Sequence, residues 1–138
     1  MLGAKQKLLL VDDSREDRFL IKQALIDSDL HCEIEEAWDG EEAELCLARC
    51  VENDALPDLV ILDLSLPKRS GIEILERLSP HDLGRRTKII VLSSLLSERE
   101  QVRLRELGVD HVFTKPIDLH EFLALGTKVK NLALPTHA

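Results

Sequence analysis

Short, uninterrupted apolar runs alternate with longer amphipathic segments along the whole of this sequence. Strands that are buried on both faces of a parallel sheet give runs of this kind, and helices covering such a sheet give the 3.6-residue period seen between them. The alternation therefore predicts an α/β fold. Five strands are expected, at residues 7–11, 31–37, 57–62, 88–92 and 109–113.

A helix-start signal follows each predicted strand: a Ser or Asp has an acidic residue three positions later, which is the spacing of a capping box. The five pairs are Ser14 and Asp17, Asp39 and Glu42, Ser70 and Glu73, Ser97 and Glu100, and Asp118 and Glu121. In the last predicted helix the spacing of Leu119, Phe122 and Leu123 predicts a stripe that lies against the sheet. We therefore expect five helices, distributed over both faces of the sheet.

Length and charge narrow the functional classes. The 138 residues suit one domain without room for a second, output domain. A net charge of −8 argues against a nucleic-acid partner, because binding to phosphates needs clustered Lys and Arg. The N-terminal MLGAKQK lacks the features of a signal peptide and no apolar run reaches membrane-spanning length, so we expect a cytoplasmic protein without a membrane partner.

The three cysteines exclude a complete disulfide framework. Cys46 and Cys50 share a helix face, and together with Cys32 or His31 they could form a metal site. Burial as small apolar side chains explains them better, since no zinc-type pair of cysteines is present.

Polar side chains stand where the predicted strands end. Ligands of an open parallel sheet bind beyond the carboxyl ends of its strands, so these side chains are expected to converge on one rim. They are Asp12 and Asp13 after the first strand, Asp63 after the third, Ser93 and Ser94 after the fourth, and Lys115 after the fifth.

Three carboxylates on one rim repel each other unless a cation neutralises them. Mg²⁺ prefers oxygen ligands and commonly binds one or two carboxylates together with a phosphate, whereas zinc would need His or Cys. Beside such a cation and Lys115, Asp63 could attack a phosphorus atom and form an aspartyl phosphate. Each residue alone is as well explained as a helix cap or a loop; it is their joint order that favours phosphoryl transfer.

Four segments, VDDSRED, LVILDLSLPKRSG, KIIVLSS and FTKP, resemble the motifs of response-regulator receiver domains. The resemblance extends from about residue 7 to about residue 130. It implies a single receiver domain over residues 1–138, with a flavodoxin-like five-stranded parallel sheet in the strand order 2-1-3-4-5.

The matching motifs imply a role for each site residue. Asp63 is the expected phosphoacceptor, and Ser93 and Lys115 are expected to contact the phosphoryl group. The peptide bond between Lys115 and Pro116 is a candidate cis bond. The expected Mg²⁺ ligands are Asp12, Asp13, Asp63 and the backbone carbonyl of Ser65.

Two positions depart from the family pattern. Val112 stands where receivers usually have Tyr or Phe, and Ser94 stands where they usually have Ala or Gly, so the usual aromatic switch is in question. The length, the LPK after Asp63 and the long link before the third strand are similar to the small receivers that partner bacterial phytochrome kinases.

The sequence thus predicts a single-domain response regulator. It would accept a phosphoryl group on Asp63 from a sensor histidine kinase or a phosphotransfer protein, with Mg²⁺, and change its protein contacts, with homodimerisation left open. It would not be an enzyme beyond its own phosphorylation and dephosphorylation. One alternative is a receiver-fold interaction module that acts without phosphorylation. The other is a Mg²⁺-dependent phosphatase of the haloacid-dehalogenase type, although Ser65 stands where those enzymes have a second Asp.

Overall fold

A computed structural model describes residues 6–64, 70–78 and 87–133 of the chain. Strands and helices alternate within these ranges, as the sequence pattern predicted. The elements are β1 (Gln6–Val11), α1 (Arg15–Asp27), β2 (Cys32–Ala37), α2 (Gly40–Glu52), β3 (Leu59–Asp63), α3 (Gly71–Leu78), β4 (Lys88–Ser93), α4 (Glu98–Glu106), β5 (His111–Thr114) and α5 (Leu119–Ala133).

The five strands form one parallel sheet in the order β2-β1-β3-β4-β5. This confirms the predicted fold class and strand order. Because β1 and β3 are neighbours at the centre of the sheet, Val11 lies beside Leu62, and the residues that follow these two strands meet at the carboxyl edge. The carboxyl edge is the rim on which the polar side chains were expected to converge.

All five predicted helix-start pairs form the first bond of a cap, in which the backbone N–H of the acidic residue donates to the Ser or Asp side chain. Ser97 and Glu100 also make the reciprocal bond of a full capping box. These bonds satisfy N–H groups that the first turn of a helix otherwise leaves without a partner. The caps therefore fix where α1 begins, two residues after the acidic pair Asp12 and Asp13.

The two faces of the sheet bury two apolar clusters, which explains the uninterrupted apolar runs. Leu9, Val60 and Val91 point to the face covered by α2, α3 and α4. Leu8 and Ile90 point to the opposite face, beneath α1 and α5. Burying each such side chain contributes roughly 1.5–3 kcal/mol. The site at the strand ends thus lies at the edge of a well-packed core.

Cys46 belongs to the first of these clusters and is 5% exposed, in agreement with its interpretation as a small apolar side chain. Burial, together with the neighbouring Glu35 and Cys50, raises the pKa of the Cys46 thiol to about 12. The thiol is therefore protonated at neutral pH and is a poor nucleophile or metal ligand.

The apolar stripe of α5 differs from the predicted one. Phe122 is buried as expected, but Leu119 is 61% exposed and Leu123 is 37% exposed, so both predictions were wrong. The core-facing side of α5 continues instead through Leu125 and Val129. The reason is a close approach to α1 at Gly126, where a Cβ atom would clash with the backbone carbonyl of Ala24.

None of the helices in the described ranges has the length and apolar character needed to cross a membrane.

Candidate functional site

Three carboxylates meet at the carboxyl edge of the two central strands. Asp12 and Asp13 follow β1, and Asp63 ends β3. One oxygen from each of the three lies within 4.8 Å of the others. Asp12 is fully buried and Asp63 is 3% exposed, whereas Asp13 is open to solvent. The structure therefore brings together the acidic residues that the sequence placed at neighbouring strand ends.

Lys115 reaches the same point from the end of β5. Its backbone N–H donates to the carbonyl of Ser93 at 3.0 Å, which carries the β4–β5 pairing one residue past the strand. Its Nζ lies 2.8 Å from Oδ2 of Asp63 and 3.2 Å from Oδ2 of Asp12. Burial alone would lower the pKa of Lys115, but the surrounding carboxylates outweigh it and raise that pKa above its ordinary value. The ammonium therefore stays charged at neutral pH.

Asp12 is the most deeply buried of the rim carboxylates. Burial is the main cause that raises its pKa, and the charge of Asp63 adds to it, while Lys115 and the backbone N–H of Ser14, 2.9 Å from Oδ1, act in the opposite direction. Oδ2 of Asp12 is buried and accepts no hydrogen bond from the described residues. Although this oxygen is 3.2 Å from Nζ of Lys115, the directions of the groups do not make a hydrogen bond. This oxygen therefore has a cation nearby but no hydrogen-bond donor among the described residues.

The donor set fits a hard divalent cation. Asp12, Asp13 and Asp63 offer only carboxylate oxygens, the ligands that Mg²⁺ prefers, and the buried Oδ2 of Asp12, which accepts no hydrogen bond, is free to coordinate such a cation. The backbone carbonyl of Ser65, which the sequence added to this ligand set, lies outside the described residues. The described part of the chain shows no other group of three His, Cys, Asp or Glu side chains close enough to share an ion.

Ser93 ends β4 at the same edge. Its hydroxyl donates to the carbonyl of Leu95 at 3.1 Å and accepts from the N–H of Leu95 at 3.3 Å, so it is engaged within its own loop. Val112 lies on β5 with 42% of its surface exposed. This position carries no ring that could move between buried and exposed orientations.

The peptide bond between Lys115 and Pro116 is not cis, because the described residues contain no cis peptide bond. The prediction of a candidate cis bond was therefore wrong. Even before proline the trans form is favoured by about 0.5–1 kcal/mol. In the trans conformation Lys115 already pairs with Ser93 through its backbone and with Asp63 through its side chain.

The sequence reading missed Asp17 as a member of the site. Asp17 was expected only as the acidic partner of the Ser14 cap, and its N–H does donate to Oγ of Ser14 at 3.1 Å. Its carboxylate also lies 3.1 Å from Nζ of Lys115. The only feature of the sequence that could have indicated this contact is the place of Asp17 in the first turn of the helix that follows Asp12 and Asp13. A side chain at that position can reach the rim.

The family model of the response regulator receiver domain matches residues 8–125. The chain therefore belongs to the response regulator receiver domain family, whose members are signalling proteins of two-component systems.

Among its relatives, the response regulator Rcp1 from Synechocystis sp. is 30% identical over 94% of this chain and 89% of Rcp1. The transcriptional regulatory protein DltR from Streptococcus agalactiae is 34% identical over 86% of this chain, which spans only 49% of DltR. The chain thus covers about half the length of the transcriptional regulators that it matches.

Two crystal structures share most of the architecture. The phosphorylated cyanobacterial phytochrome response regulator RcpA superposes with a TM-score of 0.82 at 29% identity, covering 98% of each chain. The Mn²⁺-bound form of Rcp1 superposes with a TM-score of 0.79 at 29% identity, covering 96% of this chain and 97% of Rcp1.

Proposed function

We propose that this receiver domain accepts a phosphoryl group on Asp63 from a sensor histidine kinase or a phosphotransfer protein. The observation that carries the proposal is the 2.8 Å contact between Lys115 and Asp63, beside a buried Asp12 oxygen without a hydrogen-bond partner. A nucleophilic carboxylate, a fixed cation and an unsatisfied metal ligand are the groups that phosphoryl transfer requires.

Each residue of the rim has a separate role in the phosphoryl transfer. A carboxylate oxygen of Asp63 attacks the phosphorus atom, and the bond from phosphorus to the donor nitrogen or oxygen breaks, with its electron pair leaving on the donor. Lys115 lies against Asp63 and offers its N–H groups to the phosphoryl oxygens as their charge is redistributed. Asp12, Asp13 and Asp63 would hold Mg²⁺, which would supply further positive charge to stabilise the phosphoryl group.

Ser93 is the proposed link from the modified site to the surface. Its hydroxyl is bonded to Leu95 and would turn to donate to a phosphoryl oxygen, because a charge-assisted hydrogen bond is stronger than a neutral one. The loop after β4 would then change its preferred conformation, and the population of the active surface with it. Val112 is too small to amplify that change.

The relatives support the choice of donor and metal. Rcp1 and RcpA are named as response regulators, RcpA is described as a phytochrome response regulator in its phosphorylated form, and one Rcp1 structure holds Mn²⁺. A phytochrome-type histidine kinase and a divalent cation are thus the partners that we assign to this chain. A homodimer, a cytoplasmic location and one domain over residues 1–138, with its core at about 7–130, stay predictions.

Labelling with acetyl phosphate in the presence and absence of Mg²⁺ tests the proposal. We expect a single phosphoryl group per chain, taken up only with Mg²⁺ and released slowly. An interaction module that acts without phosphorylation would take up none. A phosphatase would instead release phosphate continuously from simple phosphate esters. Either of the last two results would overturn the proposed function.

A further inference from the structure

We propose that Asp17 is a positioning residue for Lys115, which keeps the ammonium at the rim while a divalent cation occupies Asp12, Asp13 and Asp63. The consequence for phosphoryl transfer rests on the proposed function. The contact itself rests only on the geometry of the rim.

Lys115 has three N–H donors and faces three carboxylates. Its Nζ lies 2.8 Å from Asp63, 3.2 Å from Asp12 and 3.1 Å from Asp17. The side chains of Lys115 and Asp17 are 18% and 28% exposed, so their contact is partly shielded from solvent. Nζ donates hydrogen bonds to Oδ2 of Asp63 at 2.8 Å and to Oδ1 of Asp12 at 3.4 Å, and it forms an ion pair with Asp17. Asp17 is therefore the third anchor of Lys115 and the only one of the three outside the metal-ligand group.

A bound divalent cation changes the balance among these anchors. It neutralises part of the charge of Asp12 and Asp63 and repels the ammonium, so the hold of these two carboxylates on Lys115 weakens. Asp17 does not belong to the cluster of oxygens that lie within 4.8 Å of one another. Its carboxylate therefore stays beside Lys115 when the other two carboxylates turn to the metal.

Hydrogen bonds at the start of α1 fix the position of Asp17 beside Lys115. The N–H of Asp17 donates to Oγ of Ser14 at 3.1 Å, and the N–H of Ser14 donates to Oδ1 of Asp12 at 2.9 Å. The start of α1 and the metal-ligand carboxylate are thus tied together through one residue. Asp17 holds the flexible four-carbon stem of Lys115 at a set distance from the reacting carboxylate, which removes an ordering step from the transfer.

The first arm of the test measures the contact without any phosphoryl donor. A double-mutant cycle of Asp17→Asn and Lys115→Met, the latter keeping the apolar stem, is followed by thermal unfolding in saturating Mg²⁺. We expect the melting temperatures to be non-additive by about 3 °C. The matched control is Glu16→Gln, because Glu16 is an exposed acidic residue in the same first turn. Additive Asp17 and Lys115 effects in Mg²⁺ would overturn the proposal.

The second arm measures phosphoryl uptake from acetyl phosphate at saturating Mg²⁺ and donor. Asp17→Asn should lower the rate constant about tenfold, while the Mg²⁺ dissociation constant changes less than about threefold. Asp17→Glu should restore part of the rate, and Glu16→Gln should leave it unchanged. In the Lys115→Met background Asp17→Asn should have almost no further effect.

The outcomes separate the two proposals. A tenfold loss that persists in the Lys115→Met background, or an equal loss in Glu16→Gln, would show that Asp17 does not act through Lys115. Non-additive unfolding together with an unchanged uptake rate in Asp17→Asn would refute its role in the transfer. If the wild type accepts no phosphoryl group, the proposed function fails together with that role, while the first arm still decides the contact.

Discussion

Aspartate side chains have different roles at the two edges of the parallel sheet. At the amino edge Asp58 precedes β3 and Asp110 precedes β5, and each side chain accepts a backbone N–H of a neighbouring strand, from Lys7 at 2.8 Å and from Ile89 at 2.7 Å. At the carboxyl edge Asp12 and Asp63 face each other and a single ammonium. The amino-edge carboxylates close the hydrogen-bond pattern of the sheet.

The difference lies in the partners of the carboxylates. At the amino edge a backbone N–H of the neighbouring strand donates to the Asp side chain, so the carboxylate completes the pairing of the strands. At the carboxyl edge Oδ1 of Asp12 accepts one backbone N–H, from Ser14, while Oδ2 of Asp12 and Oδ2 of Asp63 both face the ammonium of Lys115. A strand-end Asp is therefore structural at one edge and available for chemistry at the other.

The largest expected effect is on metal binding at the carboxyl edge. Mg²⁺ should raise the melting temperature of the wild type, because it binds the folded rim and relieves repulsion among its carboxylates. Asp13→Ala should lose most of that increase, since it removes an exposed ligand without disturbing the core. Asp110→Ala is the matched control and should keep the full increase. Differential scanning fluorimetry across a Mg²⁺ titration measures both, and an undiminished shift in Asp13→Ala would place the metal elsewhere.

A substitution at the amino edge should lower the stability of the protein without changing its stabilisation by Mg²⁺. Asp58→Ala removes an acceptor from the N–H of Lys7 at a site open to water, which should cost about 1 kcal/mol of unfolding free energy. The stabilisation by Mg²⁺ should be unchanged. Urea unfolding with and without Mg²⁺ separates the two quantities. If Asp58→Ala weakened the metal response, the two edges would not be independent.

A pH series without metal tests how burial at the carboxyl edge affects the ionisation of Asp12. Burial raises the pKa of Asp12 above its ordinary value of 3.8. The neutral form of Asp12 therefore contributes stability that is fully present below that value and is lost as pH rises through the raised, folded-state pKa. Asp12→Asn does not ionise, so its stability relative to wild type should increase from about pH 4 to about pH 7 in EDTA.

Mg²⁺ should reverse that ranking at neutral pH, because ionised Asp12 binds the cation and the amide does so poorly. Urea midpoints of both proteins over the pH series, in EDTA and in Mg²⁺, give the comparison. A difference that does not change with pH in EDTA would contradict the electrostatic account of Asp12.

The sequence predicted the sheet well because burial on both faces leaves a plain pattern. It placed β5 at 109–113, whereas the strand is His111–Thr114. The difference arises because the N–H of Val109 bonds back to the end of α4 and Asp110 closes the amino edge. The stripe of α5 was misplaced because the close approach at Gly126 depends on helix packing.

The site was predictable to the extent that strand ends meet in a parallel sheet. This places Asp12, Asp13, Asp63 and Lys115 together before any coordinates are known. The second role of Asp17 was not predictable, since its cap spacing already accounted for it and side-chain direction is set by the fold. The trans bond before Pro116 was missed because the sequence permits both isomers.

The smallest expected effects concern the output of the site. Ser93→Ala should keep phosphorylation on Asp63 but weaken the phosphorylation-dependent change in partner binding or self-association, because the hydroxyl is lost. Val112→Ala should cost less than about 1 kcal/mol in packing at a half-exposed position and leave that change intact. Size-exclusion chromatography with light scattering, before and after phosphorylation, measures the change. The reverse pattern would refute the switch through Ser93.

The most direct measurement compares the two ends of β3, where Asp58 precedes the strand and Asp63 ends it. Wild type, Asp58→Asn and Asp63→Asn are treated with acetyl phosphate, in Mg²⁺ and in EDTA, and intact mass spectrometry counts the phosphoryl groups. The wild type and Asp58→Asn should each gain a single group in Mg²⁺ only, and Asp63→Asn should gain none. Labelling of Asp63→Asn at the wild-type level would contradict the assignment of Asp63 as the phosphoacceptor.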